Sequence, residues 1–212
     1  MATKTIQKKQ ELVKLNLGCG VQLVKGFINI DKYLTLEQLK SKKRQYANAV
    51  VPKGAKFIQA DAANLPFANN SVDYVESIDM IEHMPTKKVI KVFMEIYRVL
   101  KPGGKLKMMT NDFDSMAKIW LKYMTKPGFT EDHYYEFSEI LYGNQVGPGE
   151  YHTSPFNPMV MNSFIVSVGL TLDKMTIYHL GTSDYPKNAQ TMGPPMKNGR
   201  MRCDMIWAEA HK

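Results

Sequence analysis

Leu15-Asn16-Leu17-Gly18-Cys19-Gly20 is the stretch on which the fold of this chain turns. A short apolar run over residues 13–17 has the composition of a buried strand, and it stops at two glycines that flank a cysteine. Without a Cβ, Gly18 and Gly20 let the backbone turn tightly and come close to a ligand. Three further runs follow the same plan. Phe27-Ile28-Asn29-Ile30 ends at Asp31, Lys56-Phe57-Ile58-Gln59-Ala60 ends at Asp61, and residues 72–78 lead into Asp79. Between 86 and 100 the apolar positions Val89, Ile90, Val92, Phe93, Ile96, Tyr97 and Leu100 recur at helical spacing. Pro102-Gly103-Gly104 breaks that helix before a fifth strand over 105–110. Strand and helix in alternation predict a mostly parallel sheet covered on both faces.

Outward from this frame, Thr35 is placed to cap a helix over 35–46, and a second helix is predicted over 113–124. Residues 126–158 are rich in Gly, Pro and Tyr and read as an irregular insertion or lid. A helix over 158–168, closed by Gly169, precedes strands over 171–179 and 202–210, which suit an antiparallel hairpin at one edge. The chain of 212 residues is expected to be a single domain, 1–212, with a substrate-binding insertion at 126–158.

Composition narrows the class. Hydrophobic residues make up 44% and charged residues 23%, as in an ordinary globular domain. No apolar run approaches the roughly 20 residues that cross a bilayer, so no membrane partner is expected. The polar, Lys-rich start lacks the apolar core of a secretory signal. Cys19 and Cys203 are far apart and lack metal-ligand spacing, so a reducing cytoplasm is the expected location. The net charge of +8 sits in the first quarter: residues 1–56 carry twelve Lys or Arg against Glu11, Asp31 and Glu37. The run Lys40-Ser41-Lys42-Lys43-Arg44 reads first as a solvated helix face and second as a grip for an anionic partner.

In an open parallel sheet, ligands bind beyond the carboxyl ends of the strands. Here four successive ends carry useful groups: the glycine turn, an acceptor for ribose hydroxyls at Asp31, a carboxylate for an adenine amino group at Asp61-Ala62, and Ser77-Ile78. A dinucleotide fingerprint needs a third glycine where this chain has Leu23, and an acid about 20 residues on, well past Asp31. No phosphate-binding G-x-x-x-x-G-K-[ST] occurs either. A nucleoside recognised without a pyrophosphate cradle fits better.

The glycine stretch resembles the first motif of class I S-adenosylmethionine-dependent methyltransferases. Gln59-Ala60-Asp61-Ala62-Ala63-Asn64-Leu65-Pro66-Phe67, with Ser71-Val72-Asp73, is similar to their adenine-binding and fourth-strand motifs, and Leu100-Lys101-Pro102-Gly103-Gly104-Lys105-Leu106 to their entry into strand five. The resemblance implies an α/β, Rossmann-like three-layer sandwich with a mostly parallel seven-stranded sheet and an antiparallel C-terminal hairpin. It implies S-adenosyl-L-methionine as cofactor, with Leu17, Gly18, Cys19 and Gly20 around the methionine part. Asp31 would take the ribose, Asp61 and Ala62 the adenine, and Ser77 and Ile78 the wall near the sulfonium. Only ten residues separate Gly20 from Asp31, so the usual first helix is expected to be shortened or missing.

Methyl transfer from a sulfonium depends mainly on alignment, and a base is needed only when the acceptor must lose a proton. Asp79-Met80-Ile81-Glu82-His83 resembles the E-x-x-E-H segment of the O-methyltransferases of ubiquinone synthesis, where it is associated with a divalent metal. Asp79, Glu82 and His83 at i, i+3 and i+4 are expected on one helical face. His83, with a pKa near the operating pH, and His152 from the insertion are taken as the catalytic groups, and no metal ligand is assigned. The expected acceptor is a small polar molecule. An RNA gripped by the basic first quarter, a silent cofactor-binding scaffold and a nicotinamide-dependent reductase stand as alternatives.

Overall fold

The computed structural model describes residues 11–41, 43–179 and 203–212. Most of the N-terminal basic arm, Lys42 and the loop between the last two expected strands lie outside the described residues.

Seven strands form one sheet: β1 (Lys14–Leu17), β2 (Ile28–Asp31), β3 (Lys56–Gln59), β4 (Val72–Ile78), β5 (Leu100–Asn111), β6 (Thr171–Tyr178) and β7 (Met205–His211). Their spatial order is β3-β2-β1-β4-β5-β7-β6. β1 to β5 pair in parallel, and β7 runs antiparallel to both β5 and β6. Among the described residues five α-helices accompany them: α1 (Leu36–Lys40), α2 (Thr86–Val99), α3 (Phe113–Ile119), α4 (Glu131–Tyr142) and α5 (Pro158–Ser167). They cover both sides of the sheet, so the molecule has the Rossmann-like three-layer architecture.

The central strands are apolar because both of their faces are covered. Leu15, Leu17, Val72 and Val75 are fully buried, as is the stripe Val89, Val92, Phe93, Ile96 and Val99 that α2 lays against them. Phe164 of α5 stacks on Phe93 with ring centroids 5.5 Å apart. Each such ring or branched side chain contributes about 1.5–3 kcal/mol on burial.

No helix lies between β1 and β2. A loop over residues 21–27 takes its place, and the fully buried Asn29 holds it. Val24 donates its N–H to Asn29 Oδ1 at 2.8 Å, and Asn29 Nδ2 donates to the carbonyls of Val24 and Lys56 at 3.1 and 3.0 Å. Asn16, on the neighbouring strand, donates to the same Oδ1 at 3.0 Å. These bonds satisfy polar groups that burial would otherwise penalise by about 1–3 kcal/mol each.

Four elements depart from the sequence expectation. The helix from Thr35 has its capping box, but it ends at Lys40, and a separate 3-10 turn, Arg44–Tyr46, follows. α3 stops at Ile119 and gives way to a π-helical turn, Trp120–Met124. β5 begins at Leu100 rather than 105, because Leu100 pairs with Val72 and the next pair is Tyr74 with Lys105. Pro102-Gly103-Gly104 is thus bulged out within the strand. The insertion is not irregular throughout, since it contains the twelve-residue α4. Its signal is a capping box at Thr130 in which His133 stands where Glu or Gln is usual.

Arg98 fastens the segment after Asp61 to α2. Its guanidinium donates to Glu95 Oε1 at 2.7 Å, Phe67 O at 2.7 Å, Leu65 O at 3.0 Å and Asn69 Oδ1 at 2.9 Å, while Leu65 N–H donates to Glu95 Oε2 at 2.7 Å. Arg98→Ala is expected to lower stability by about 2–3 kcal/mol, read as a lower urea midpoint at unchanged slope. An unmoved midpoint would show that water replaces these bonds at no cost.

Candidate active site

The tip of β1 is built by its two glycines. Gly18 and Gly20 have φ of +66° and +50°, conformations that a side chain disfavours. Asp31, at the end of β2, supports this turn: Oδ2 accepts from Gly20 N–H at 3.2 Å, and Oδ1 from the N–H groups of Tyr33 and Leu34 at 2.8 and 3.0 Å. A Cβ on Gly18 would land on Cβ and Cγ of Met80, whereas one on Gly20 would meet nothing within 4 Å. Gly18 is therefore small to admit the protein's own chain, and Gly20 borders open space.

That space is a cavity of about 1310 Å³ running from the glycine turn to the insertion. Gly18, Cys19, Gly20, Asp31, Asp61, Ala62, His83 and His152 all line it. Leu17 does not: it is fully buried in the core behind the turn. The Cys19 side chain packs with Leu23 and Leu39. Burial and then the charge of Asp31 push its thiol far above the usual range, so it stays protonated and inert.

Asp61 is occupied by cations. Lys32 Nζ donates to its Oδ2 at 2.8 Å, Lys88 Nζ lies 3.5 Å away, and Ala63 N–H donates to Oδ1 at 3.0 Å. Partial burial opposes its charge. The Lys32 hydrogen bond, the Ala63 amide and the two ammonium charges outweigh that and hold its pKa below the ordinary carboxylate value.

At the end of β4 the structure corrects the expected wall. Ser77 is fully buried between β1 and β5, and Ile78 packs beside Met109 and Trp207. The cavity wall here is Asp79 and Met80. Asp79 N–H still pairs with Met109 O at 3.0 Å, and the chain then leaves the sheet through a φ of +45° at Asp79. The Asp79 carboxyl is buried, its Oδ1 has no hydrogen-bond partner, and burial pushes its pKa up to about 7.

Beyond Asp79 the chain forms a 3-10 turn, Ile81–His83, not a helix, so Asp79, Glu82 and His83 do not share a helical face. The insertion supplies the missing neighbour. Thr153 and Ser154 donate their N–H groups to Glu82 O at 2.8 and 3.1 Å, and Ser154 Oγ donates to Met84 O at 2.7 Å. His152 N–H donates to Tyr142 O at 2.9 Å. These bonds bring the His152 ring edge-on to the His83 ring, with centroids 4.6 Å apart. His83 is not poised near neutrality: burial, then the adjacent His152, lowers its pKa to about 4. Burial lowers that of His152 too. Both are therefore neutral at physiological pH.

Sequence reasoning missed the clasp between insertion and sheet. A Cβ on Gly149 would lie 2.7 Å from the Tyr33 ring, and one on Gly143 would strike the carbonyl of Glu150. Both glycines have positive φ, +85° and +75°, and a Gly-rich loop was the only hint of them in the sequence.

Residues 15–108 match the methyltransferase domain family. The chain thus contains a methyltransferase domain, and the match supports the class I S-adenosylmethionine-dependent family that the sequence motifs resemble. An uncharacterized protein of Methanocaldococcus jannaschii is 29% identical over 172 residues, which cover 76% of this chain and 70% of that protein. A demethylmenaquinone methyltransferase from Geobacillus is 31% identical over 108 residues, 51% of this chain and 38% of that enzyme. This chain thus spans well under half of that curated relative. In fold it is similar to a crystal structure described as an S-adenosylmethionine-dependent methyltransferase from Methanosarcina mazei. The TM-score is 0.61 at 18% identity, covering 96% of this chain and 94% of the other. Among the described residues, no helix is long and apolar enough to cross a membrane.

Proposed function

We propose that this methyltransferase methylates a small polar acceptor held between the tips of β1 to β4 and the 126–158 insertion. One observation carries the reading: a single cavity of about 1310 Å³ joins the glycine turn to the His83–His152 pair. A cavity this large exceeds the roughly 300–1,000 Å³ of common ligand pockets, so it has room for a cofactor and a second molecule side by side.

The residues present fit the cofactor. Backbone is bare at Gly20, where a Cβ meets no protein atom, and Asp31 and Asp61 line the same cavity, which supports reading them as partners of ribose and adenine. S-adenosylmethionine supplies an already activated methyl group. The chain's part is to exclude water and to orient the acceptor, and that alignment is a large source of acceleration. Neutral His152 is suited to accept a hydrogen bond at Nε2, because its Nδ1 faces the carbonyl of Ile140 at 2.8 Å and must donate there.

Asp61→Ala tests the cofactor half. It is expected to weaken S-adenosylhomocysteine binding by about 1–3 kcal/mol in calorimetry. It should cost only about 1 kcal/mol in stability, because the ion pairs it removes are partly exposed and a single Ala63 amide loses its acceptor. Equal affinity in the variant would reject Asp61 as an adenine partner. The acceptor half is tested by S-adenosylhomocysteine release with panels of small hydroxylated and amine acceptors and with RNA. Turnover on a small acceptor, with KM insensitive to salt, is expected. Turnover on RNA alone, with KM rising steeply with salt, would overturn the reading.

A further inference from the structure

Glu82 presents an anomaly. Its side chain is almost fully buried, and beyond the neighbouring Thr110 hydroxyl neither carboxylate oxygen has a hydrogen-bond partner among the described residues. Nδ1 of the adjacent His83 is buried and equally without a partner. Buried polar groups are rarely left so, and each exception calls for an explanation. The third member comes from the other side of the cavity: His152 reaches across, and one donor atom from each of Glu82, His83 and His152 falls within 4.8 Å of the others.

We propose that Glu82, His83 and His152 form a binding site for one divalent transition-metal ion, with its open positions facing the acceptor end of the cavity. The set differs from the E-x-x-E-H segment that residues 79–83 resemble, in which the sequence assigns no ligand: Asp79 is not among the converging donors, and a histidine 69 residues downstream of His83 joins Glu82 and His83. Two imidazoles and one carboxylate suit zinc, iron(II) or manganese(II) better than calcium or magnesium. Donors around zinc at about 2.1 Å from the ion lie roughly 3.4 Å apart, so side-chain shifts of about an ångström close the site.

Its surroundings have the form such sites take. A metal-bound histidine usually donates its other ring N–H to a carbonyl or carboxylate, which fixes the tautomer and the ring direction. His152 does this through Nδ1 to Ile140 O at 2.8 Å. The backbone of Tyr151 adjoins the His83 ring, whose buried Nδ1 has no hydrogen-bond partner among the described residues. The insertion thus supplies one ligand, with its ring held by main chain, and its backbone borders the other. All three residues line the cavity assigned above to the acceptor, so an ion here would meet an acceptor oxygen or nitrogen directly. The placement of the acceptor rests on the proposed function, while the metal site rests on these donors alone.

The test uses the untagged full chain, stripped of metal and titrated with Co²⁺ while visible absorption is followed, and with Zn²⁺ in competition with a chromophoric chelator. One equivalent per chain is expected, with ligand-field bands for the cobalt form. Glu82→Gln and His152→Ala should each weaken Zn²⁺ binding by more than the 10–100-fold typical of an outer-shell partner. S-adenosylhomocysteine affinity, measured on the same samples, should stay unchanged and report that each variant is folded. Absence of saturable uptake by the native chain would overturn the site, as would uptake that both variants retain. Neither result would touch methyl transfer, which is scored separately by product release.

Discussion

Gly18→Val is expected to lower the melting temperature by about 10 °C and to abolish measurable cofactor binding as a consequence. The new Cβ would fall on Cβ and Cγ of Met80, and the near end of a side chain cannot swing aside as a flexible tip can. Overpacking of this kind costs about 1–3 kcal/mol, and a branched side chain at φ +66° adds about 1–2 kcal/mol. For a domain of this size each kcal/mol corresponds to about 2–4 °C. Gly20→Val is the matched control. Its backbone penalty is similar, but its Cβ meets no protein atom, so it should lose the cofactor while melting only a few degrees lower. Scanning calorimetry with and without S-adenosylhomocysteine separates the two. If the Gly18 variant melts like the parent, the close approach of the β1 and β4 tips is wrong.

Gly143→Ala is expected to reduce turnover about 100-fold while leaving cofactor affinity intact. Its Cβ would collide with the carbonyl of Glu150 and lie 3.2 Å from the amide of His152, at a φ of +75° that alanine resists. The strand of insertion that carries His152 must then move. A displacement of about 1 Å at a reacting centre is enough for a loss of that order. Paired measurements of kcat and S-adenosylhomocysteine affinity make the comparison. Full turnover in the variant would show that the 143–152 segment does not position the acceptor.

These two variants mark the line between what the sequence disclosed and what it concealed. The parallel half of the sheet was legible because each strand is a short apolar run ended by a glycine or an acid, and because α2 writes its buried stripe at helical spacing. The glycine turn and Asp31 were legible for the same reason: local chemistry announces them, and Asp31 does brace the turn. Ser77 and Ile78 were misplaced as wall residues because nothing in the run 72–78 shows that the ladder persists to Asp79 before the chain turns away. α4 was hidden by an unusual cap and by its Gly- and Pro-rich flanks. The meeting of His83 with His152 depends on hydrogen bonds between Glu82 and Thr153–Ser154, contacts that span about seventy residues and leave no periodic trace.

The loop that Asn29 fastens between β1 and β2 carries a selectivity of its own. A helix starting just after a glycine turn would aim its unpaired amides and the positive end of its dipole at whatever lies there, which is how pyrophosphates are caught. Here the amides are spent inside the protein: Gly20 N–H on Asp31, Gln22 N–H on the carbonyl of Cys19, Leu23 N–H on that of Val50, and Val24 N–H on Asn29. The backbone therefore discriminates against dinucleotides before any side chain is consulted, and a later point mutation cannot easily restore what the missing turn of helix would have provided.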